Sequence, residues 1–255
     1  MNNDYTHIAP IYDTVGMSDF AEGMTPRLIV FAQSNDWLGR RILDLGCGTG
    51  ASVRWLANRG YNTTAIDSSA EMIEVGKRSV NSAGLSLIWR QGDIRKLESM
   101  DRQMDMVLSL DVINELQSLR ELEAVFGSAH RVLDIGKLFI FDLHTIEGLA
   151  TRSNTRYIHD DERLVVIAAD QFDYERQANT CRLDIFRRDE EQRHWQRQSG
   201  VLTRRGFPVQ TVAALLQRTG FAIIALFNAN FELVDPANTR ADRVIFVARK
   251  AGGTE

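Results

Sequence analysis

Cysteine is scarce in this chain of 255 residues, with only Cys47 and Cys181. Two thiols supply neither a disulfide framework nor a metal-ligand cluster, so a stapled secreted scaffold is set aside and no metal site is expected. Charge of one sign is missing too: 30 Lys and Arg against 34 Asp and Glu leave a formal net charge of −4. Nucleic-acid binding normally needs a concentrated basic face, so no nucleic-acid partner is expected. No apolar run approaches the roughly 20 residues of a spanning helix; Phe221 to Phe227 is among the longest, and no membrane insertion is expected. The opening Met1-Asn2-Asn3-Asp4 shows none of the basic and apolar regions of a signal peptide, which makes a cytoplasmic location the default. Internal repeats and low-complexity segments are absent as well. What is present, 44% hydrophobic and 25% charged residues, is the composition of an ordinary globular protein with ample chain for a core.

Hydrophobic patterning organises the first half. Residues 1–40 show helical spacing at Leu28, Phe31 and Leu38. Arg41 to Leu45 reads as a strand running into Gly46-Cys47-Gly48-Thr49-Gly50, followed by a helix through Val53, Leu56 and Ala57 that Gly60 closes. Further strands are expected at Thr63 to Ile66, Leu85 to Trp89, Met104 to Leu110 and Lys137 to Leu143. Between them lie a helix that Ser69 introduces and that stops near Gly84, and another whose face is Leu119, Leu122, Val125 and Phe126. Strands alternating with helices predict a parallel sheet covered on both faces, with ligands at the carboxyl ends of its strands.

The pattern then changes. From about Tyr157 to Val201 the chain alternates, with Cys181, Leu183 and Ile185 against Arg182 and Asp184, and Glu190-Glu191-Gln192 fits a turn. An antiparallel sheet inserted after the fifth strand is the simplest reading. Pro208 opens a helix over Val209 to Gln217, and Phe221 to Phe227 and Arg243 to Ala248 give two closing strands, an antiparallel pair. The domain division is therefore 1–150 with 207–255, and an insert at 151–206.

The chemistry concentrates in Ile42-Leu43-Asp44-Leu45-Gly46-Cys47-Gly48-Thr49-Gly50. Glycines let the backbone turn at positive φ and approach a ligand closely. Asp44 can meet an ammonium group, Asp67 at the next strand end can accept from both ribose hydroxyls, and Asp93 at the third can accept from an exocyclic amine with Ile94 against a purine face. Gly46, Gly48 and Ala51 also satisfy the G-x-G-x-x-A dinucleotide fingerprint, which leaves a nicotinamide-dependent oxidoreductase as the alternative. Two features weigh against it: the long helical lead before the fingerprint, and the lack of a second βαβαβ half.

The string resembles the D-x-G-x-G-x-G motif of class I S-adenosylmethionine-dependent methyltransferases. The likeness continues in Ala65-Ile66-Asp67-Ser68-Ser69-Ala70-Glu71-Met72, Arg90-Gln91-Gly92-Asp93-Ile94 and Asp105-Met106-Val107-Leu108-Ser109. The leader Ile8-Ala9-Pro10-Ile11-Tyr12-Asp13 is similar to that of ubiquinone/menaquinone-type enzymes, and the insert is similar to that of sugar N-methyltransferases. The resemblance implies a Rossmann-like seven-stranded mixed sheet with its last strand antiparallel, sandwiched by helices, with the insert as a β lid. It implies S-adenosyl-L-methionine as cofactor, S-adenosyl-L-homocysteine as product and a small-molecule methyl acceptor attacked in line. Carried over, Asp44 and the loop of Gly46, Cys47, Gly48 and Gly50 hold the methionine part, with Tyr12 closing over it. Asp67 holds the ribose, Ser68, Met72, Asp93 and Ile94 frame the adenine, and Ser109 and Leu110 offer backbone near the sulfonium.

One departure bears on catalysis. Relatives often carry a Glu-His pair beyond the fourth strand, where this chain reads Asn114-Glu115. Glu115 either replaces that histidine as a base or caps the following helix, and Asp111 is open in the same way. The missing histidine also leaves a non-catalytic cofactor-binding module as a third reading. His144 and Asp142 close the fifth strand at the ligand edge, facing substrate or making loop hydrogen bonds. Tyr157, Tyr174 and Trp195 either shape a pocket under the insert or pack within it. His159 and His194 are expected on the surface; Arg187-Arg188 and Arg204-Arg205 either bind an acidic substrate or, as the interleaved Asp and Glu favour, form solvated faces; and Cys47 is read as a small loop residue rather than a nucleophile. The insert is also a candidate homodimer surface.

Overall fold

The structure, a computed structural model, describes residues 3–80, 85–97, 103–189, 194–236 and 240–252. A 3-10 turn at Ala9–Ile11 leads into α1 (Asp19–Ser34). Then come β1 (Arg41–Leu45), α2 (Ala51–Ala57), β2 (Asn62–Asp67), α3 (Ala70–Ser79), β3 (Leu87–Gln91) and β4 (Met104–Ser109). They are followed by α4 (Leu119–Val132), β5 (Leu133–His144) and the short α5 (Ile146–Ala150). The insert contributes β6 (Thr155–Asp160), β7 (Leu164–Asp173), β8 (Ala178–Arg188) and β9 (Trp195–Arg205); α6 (Val209–Arg218), β10 (Phe221–Asn228) and β11 (Arg243–Lys250) complete the chain.

The larger sheet has the order β10-β11-β5-β4-β1-β2-β3. β1 pairs in parallel with β2 and β4, β2 with β3, and β4 with β5. β11 runs antiparallel to both of its neighbours, β5 and β10. The result is the seven-stranded mixed sheet with a reversed last strand, flanked by helices, that the sequence implies. It is not the 3-2-1-4-5-6 all-parallel order of dinucleotide-binding sheets.

Burial explains the central strands. All six residues of β4 are buried, as a strand covered on both faces requires. On one side α4 sets Leu122, Val125, Phe126 and Ala129 against Phe139, Phe141 and Phe246, with the Phe141 and Phe246 rings stacked at 4.9 Å. On the other, Leu28 and Ile29 of α1 pack with Leu56, Met106, Leu108 and Ile140. The caps are local: Ser69 Oγ accepts from Met72 N, and Ser118 Oγ accepts from Glu121 N.

Some boundaries differ from expectation. β3 starts at Leu87 rather than Leu85, and β5 begins four residues early, continuing straight out of α4 through Gly136 at φ +78°. Leu38 lies beyond α1 and is exposed, so the helical spacing ends at Phe31. α3 closes at Ser79; its expected end near Gly84 and the turn at 190–192 fall outside the described residues.

The insert forms a separate antiparallel sheet in the order β6-β7-β8-β9. Its alternation works as read: Cys181, Leu183 and Ile185 face inward with Val166, Ala168 and Leu202, and cover Ile8 and Ile11 of the N-terminal segment. Gly200 makes room there, since a Cβ on it would come within 2.7 Å of Ile8 Cδ1. The N-terminal segment is thus clamped between the insert and the strand ends of the larger sheet. Among the described residues no helix is long and apolar enough to cross a membrane.

Candidate active site

The turn after β1 is built by two conformational demands. Gly46 sits at φ +68° and Gly48 at φ +53°, a region L side chains rarely adopt. Gly46 N and Cys47 N donate to the Ile66 carbonyl at 2.7 and 3.0 Å, tying the turn to β2. A Cβ on Gly46 would come within 2.3 Å of Val112 Cγ2, whereas one on Gly48 would meet nothing within 4 Å. Asp67, the last residue of β2, accepts from Gly48 N at 2.9 Å and from Ser69 N at 2.8 Å. Burial raises its pKa, and those backbone donors oppose the rise. Asp44 is buried below the turn and has no hydrogen-bond partner among the described residues. Burial first and the Asp67 charge second push its pKa up to about 7.

Tyr12, Gly46, Gly48, Asp67, Ser68, Met72, Leu110, Asp111 and Glu115, all singled out in the sequence, line one cleft. Val112 and Tyr5 complete it; Tyr5 carried no sequence signal. Tyr5 donates to the Glu115 carboxylate, and its ring meets Tyr12 edge-on at 6.3 Å. Burial raises the Glu115 pKa to about 7 against the Tyr5 hydrogen bond. With the N-terminal segment in place the cleft has about 40 Å³ of free volume.

Other expected residues stand elsewhere. Asp93 is committed to Arg95, accepting from its backbone N at 2.9 Å and its guanidinium at 2.8 Å, and Ile94 is wholly buried in the core. Neither reaches the cleft, because the chain after β3 turns inward there. Gly50, at φ +85°, leaves space for the Trp89 ring rather than for a ligand. Cys47 packs with Val53 and Ala65. Ser109 Oγ donates to the Leu45 carbonyl at 3.0 Å and is fully buried. Asn114 staples the fold: its Nδ2 donates to the carbonyls of His144 and Arg205, and its Oδ1 accepts from His144 N.

Asp111 has a second face. It holds the left-handed conformation at φ +61°, its N donating to Asp142 Oδ1 at 2.7 Å. Its carboxylate accepts from Arg243 at 2.6 Å and, with His144 and Arg243, lines a second cavity of about 520 Å³ under the insert. Burial opposes the Asp111 charge, but Arg243 outweighs it and the pKa stays well below the carboxylate range. His144 is pushed down to about 3, chiefly by burial, so its ring stays neutral and makes a poor base at neutral pH. Asp142 is raised to about 7 by burial.

Three aromatic expectations are overturned. Tyr157, Tyr174 and Trp195 are 65%, 78% and 45% exposed, outside both the cavity and the insert's core. Arg204, read as a solvated residue, lines the cavity, and Arg205 Nη1 donates to the Gln117 carbonyl at 2.7 Å. Their strand position was legible, but which face looks inward depends on the N-terminal segment beneath it.

An open parallel sheet closed by a reversed strand, with a glycine turn and an acidic strand end sharing one cleft, defines a Rossmann-like fold that departs from the all-parallel order of dinucleotide-binding sheets. Residues 42–136 match the family described as "Methyltransferase domain". The chain is 28% identical over 213 residues to the putative methyltransferase YqeM of Bacillus subtilis, covering 83% of this chain and 84% of that one. It is 38% identical over 78 residues to a ubiquinone biosynthesis O-methyltransferase of Methylocella silvestris, 31% of this chain and 30% of that protein. An S-adenosylmethionine-dependent methyltransferase of Clostridium acetobutylicum superposes with a TM-score of 0.82 at 22% identity, covering 97% and 99% of the two chains. DesVI of Streptomyces venezuelae does so at 0.75 and 17%, with the same coverage. Residues 42–136 thus match a methyltransferase domain, and the chain as a whole has the fold of these S-adenosylmethionine-dependent enzymes.

Proposed function

We propose that this enzyme methylates a small-molecule acceptor, with the glycine cleft as cofactor seat and the larger cavity as acceptor chamber. One observation carries the reading: Asp111 lines both spaces, so they adjoin where the strand ends of the larger sheet meet the insert.

The donor set fits the cofactor. Asp44 is a buried carboxyl without a hydrogen bond, suited to an ammonium group directly or through water. Asp67 keeps lone pairs for ribose hydroxyls after accepting two backbone N–H groups. Open space over Gly48 admits close approach of a ligand to the backbone. Met72 and Ser68 would frame the adenine, Leu110 with the Ser109 backbone would face the sulfur, and Tyr12 would cover the methionine end. Asp93 and Ile94 are left out of the set.

Bound there, S-adenosylmethionine would supply a methyl carbon on a positive sulfur, open to in-line attack by the acceptor's nucleophile with the thioether as neutral leaving group. The chain's part is alignment and exclusion of water. Tyr5 and Tyr12 cover the cleft, and the N-terminal segment opens to admit the cofactor. Glu115, its pKa raised to about 7 by burial, takes the acceptor's proton where the cleft it lines meets the chamber at Asp111. His144 positions Arg243 rather than acting as base. The insert at 151–206 serves as lid and acceptor wall on the cofactor domain of 1–150 and 207–255.

Calorimetry with S-adenosylmethionine and S-adenosylhomocysteine tests this reading. The wild-type protein binds both, and Asp67→Ala weakens each by about 1–3 kcal/mol through lost hydrogen bonds. A folded protein that binds neither rejects it. Cofactor binding with no product across a broad acceptor panel would favour the non-catalytic module. We further infer a cytoplasmic homodimer that buries Tyr157, Trp195 and Val201 on the insert, all exposed in the single chain. Sedimentation as a monomer, or recovery outside the cytoplasmic fraction, contradicts it.

A further inference from the structure

The acceptor chamber holds guanidinium groups that pair with no carboxylate among the described residues. Arg152, Arg156, Arg204 and Arg243 line it. Two are already matched: Arg156 pairs with Asp170 at 2.5 Å, and Arg243 pairs with Asp111 at 2.6 Å and with Asp142 at 3.3 Å. Arg152 and Arg204 are not. Among the described residues neither guanidinium donates a hydrogen bond or forms an ion pair within 4.0 Å, although both residues are half-buried. The other carboxylates lining the chamber, Asp19 and Asp242, are exposed to water at its rim.

These two groups lie in one another's field. The Arg152 pKa is lowered by burial and then by the charges of Arg204 and Arg243. Arg204 keeps its charge against burial chiefly through the Asp111 carboxylate, which lines both the chamber and the cofactor cleft. Guanidinium donors held part-way out of water and unmet by the chain favour an anion that fills them. A chamber of about 520 Å³ is also of metabolite size.

We propose that the acceptor carries an oxyanion, a carboxylate or a phosphate, gripped by Arg152 and Arg204 so that its nucleophile faces Asp111 and the cofactor cleft. This rests on the methyltransferase reading of the two spaces and adds the acceptor's chemical class to it. Arginine suits the task because its planar fork meets either oxyanion with two parallel hydrogen bonds. Both arginines line the chamber that Asp111 shares with the cleft, so an anion held between them sets the acceptor's direction.

The test uses the full chain saturated with S-adenosylhomocysteine. Inorganic phosphate and succinate are titrated as probes, with glucose and glycinamide as neutral and cationic controls. One or both anions bind and the controls do not; whichever anion binds more tightly identifies the oxyanion. Arg152→Gln weakens the anion about tenfold or more, the loss of a charge-assisted hydrogen bond. Arg152→Lys, which keeps the charge without the fork, loses less. Homocysteine-product binding by each variant, unchanged from wild type, shows that it is folded. The proposal is overturned if neither anion binds to the loaded protein, or if binding ignores both Arg152→Gln and Arg204→Gln. It is overturned as well if phosphate competes with S-adenosylhomocysteine, which would assign the guanidinium pair to the cofactor's own carboxylate. A wild-type protein that fails to bind S-adenosylhomocysteine instead rejects the cofactor reading, an outcome visible before any anion is added.

Discussion

Tyr5 donates its phenolic hydrogen to the Glu115 carboxylate, latching the N-terminal segment to the turn beyond β4. Both groups are withdrawn from water, and burial is the main cause of the raised pKa of each. The latch closes the cleft that holds the glycine turn and Asp67, so its strength sets how often the cleft opens.

Tyr5→Phe removes that hydrogen bond while keeping the ring against Tyr12. A net loss of about 1 kcal/mol raises the open population roughly fivefold. Association of S-adenosylhomocysteine, followed by stopped-flow tryptophan fluorescence, then speeds up by a similar factor. An unchanged association rate shows that the segment does not gate entry.

Proton linkage gives a second expectation. Asp44, Glu115 and Asp142 have folded pKa values of about 7, above the ordinary carboxylate values of 3.8 and 4.5. Between those limits the folded state holds more protons than the unfolded one, so their contribution to stability falls as pH rises through that window. A ligand ammonium beside Asp44 favours its charged form and reverses the sign for that one group. Binding of S-adenosylhomocysteine near pH 6.5 therefore releases protons, read as a dependence of calorimetric enthalpy on the buffer's ionisation enthalpy. Asp44→Asn abolishes the part of that dependence due to Asp44; an undiminished release places the titrating group elsewhere.

Much of the architecture was legible because local and global signals agree. Continuous apolar strands, Ser69 as a cap and alternation in β8 each specify one environment. The cleft was legible for a related reason: Gly46, Gly48 and Asp67 are adjacent through the β1–β2 pairing, which any parallel sheet of this order enforces. Asp93 and Ile94 misled because a strand end predicts a location and not a side-chain direction, and Arg95 captures the Asp93 carboxylate. Tyr5 and Arg152 were illegible as site residues, and for Arg204 the interleaved charges favoured a solvated face over its alternative at an acidic substrate. Their roles arise where the N-terminal segment meets the insert, a contact between positions some two hundred residues apart, as between Asn3 and Thr203. No periodicity encodes such a contact.

Arg243 is the keystone of the charged cluster behind Asp111. Its guanidinium lies 3.6 Å over the Phe20 ring and neutralises Asp111 and Asp142 on opposite sides. Arg243→Met leaves these carboxylates unpaired out of water and costs about 3–5 kcal/mol in urea unfolding. Asp142 already prefers its proton near neutrality, so the cost is smaller at pH 6 than at pH 8. A pH-independent loss would mean that packing on Phe20, not charge, is what the arginine supplies.

The two glycines of the turn separate folding from binding. Each sits at positive φ, which costs an alanine about 1–2 kcal/mol in either place. At Gly46 the added methyl also meets Val112 at 2.3 Å, and Val112 is buried and β-branched with little freedom to yield. Gly46→Ala therefore loses a further 1–3 kcal/mol or so to overpacking, and its melting temperature falls well below that of Gly48→Ala. At Gly48 the methyl enters open space in the cleft, so that variant stays folded while its affinity for S-adenosylhomocysteine drops about tenfold, the range a misplaced ligand contact of roughly 1.4 kcal/mol produces. If Gly48→Ala binds as tightly as wild type, the space above this backbone is not where the ligand approaches, and the turn is shaped by Val112 alone.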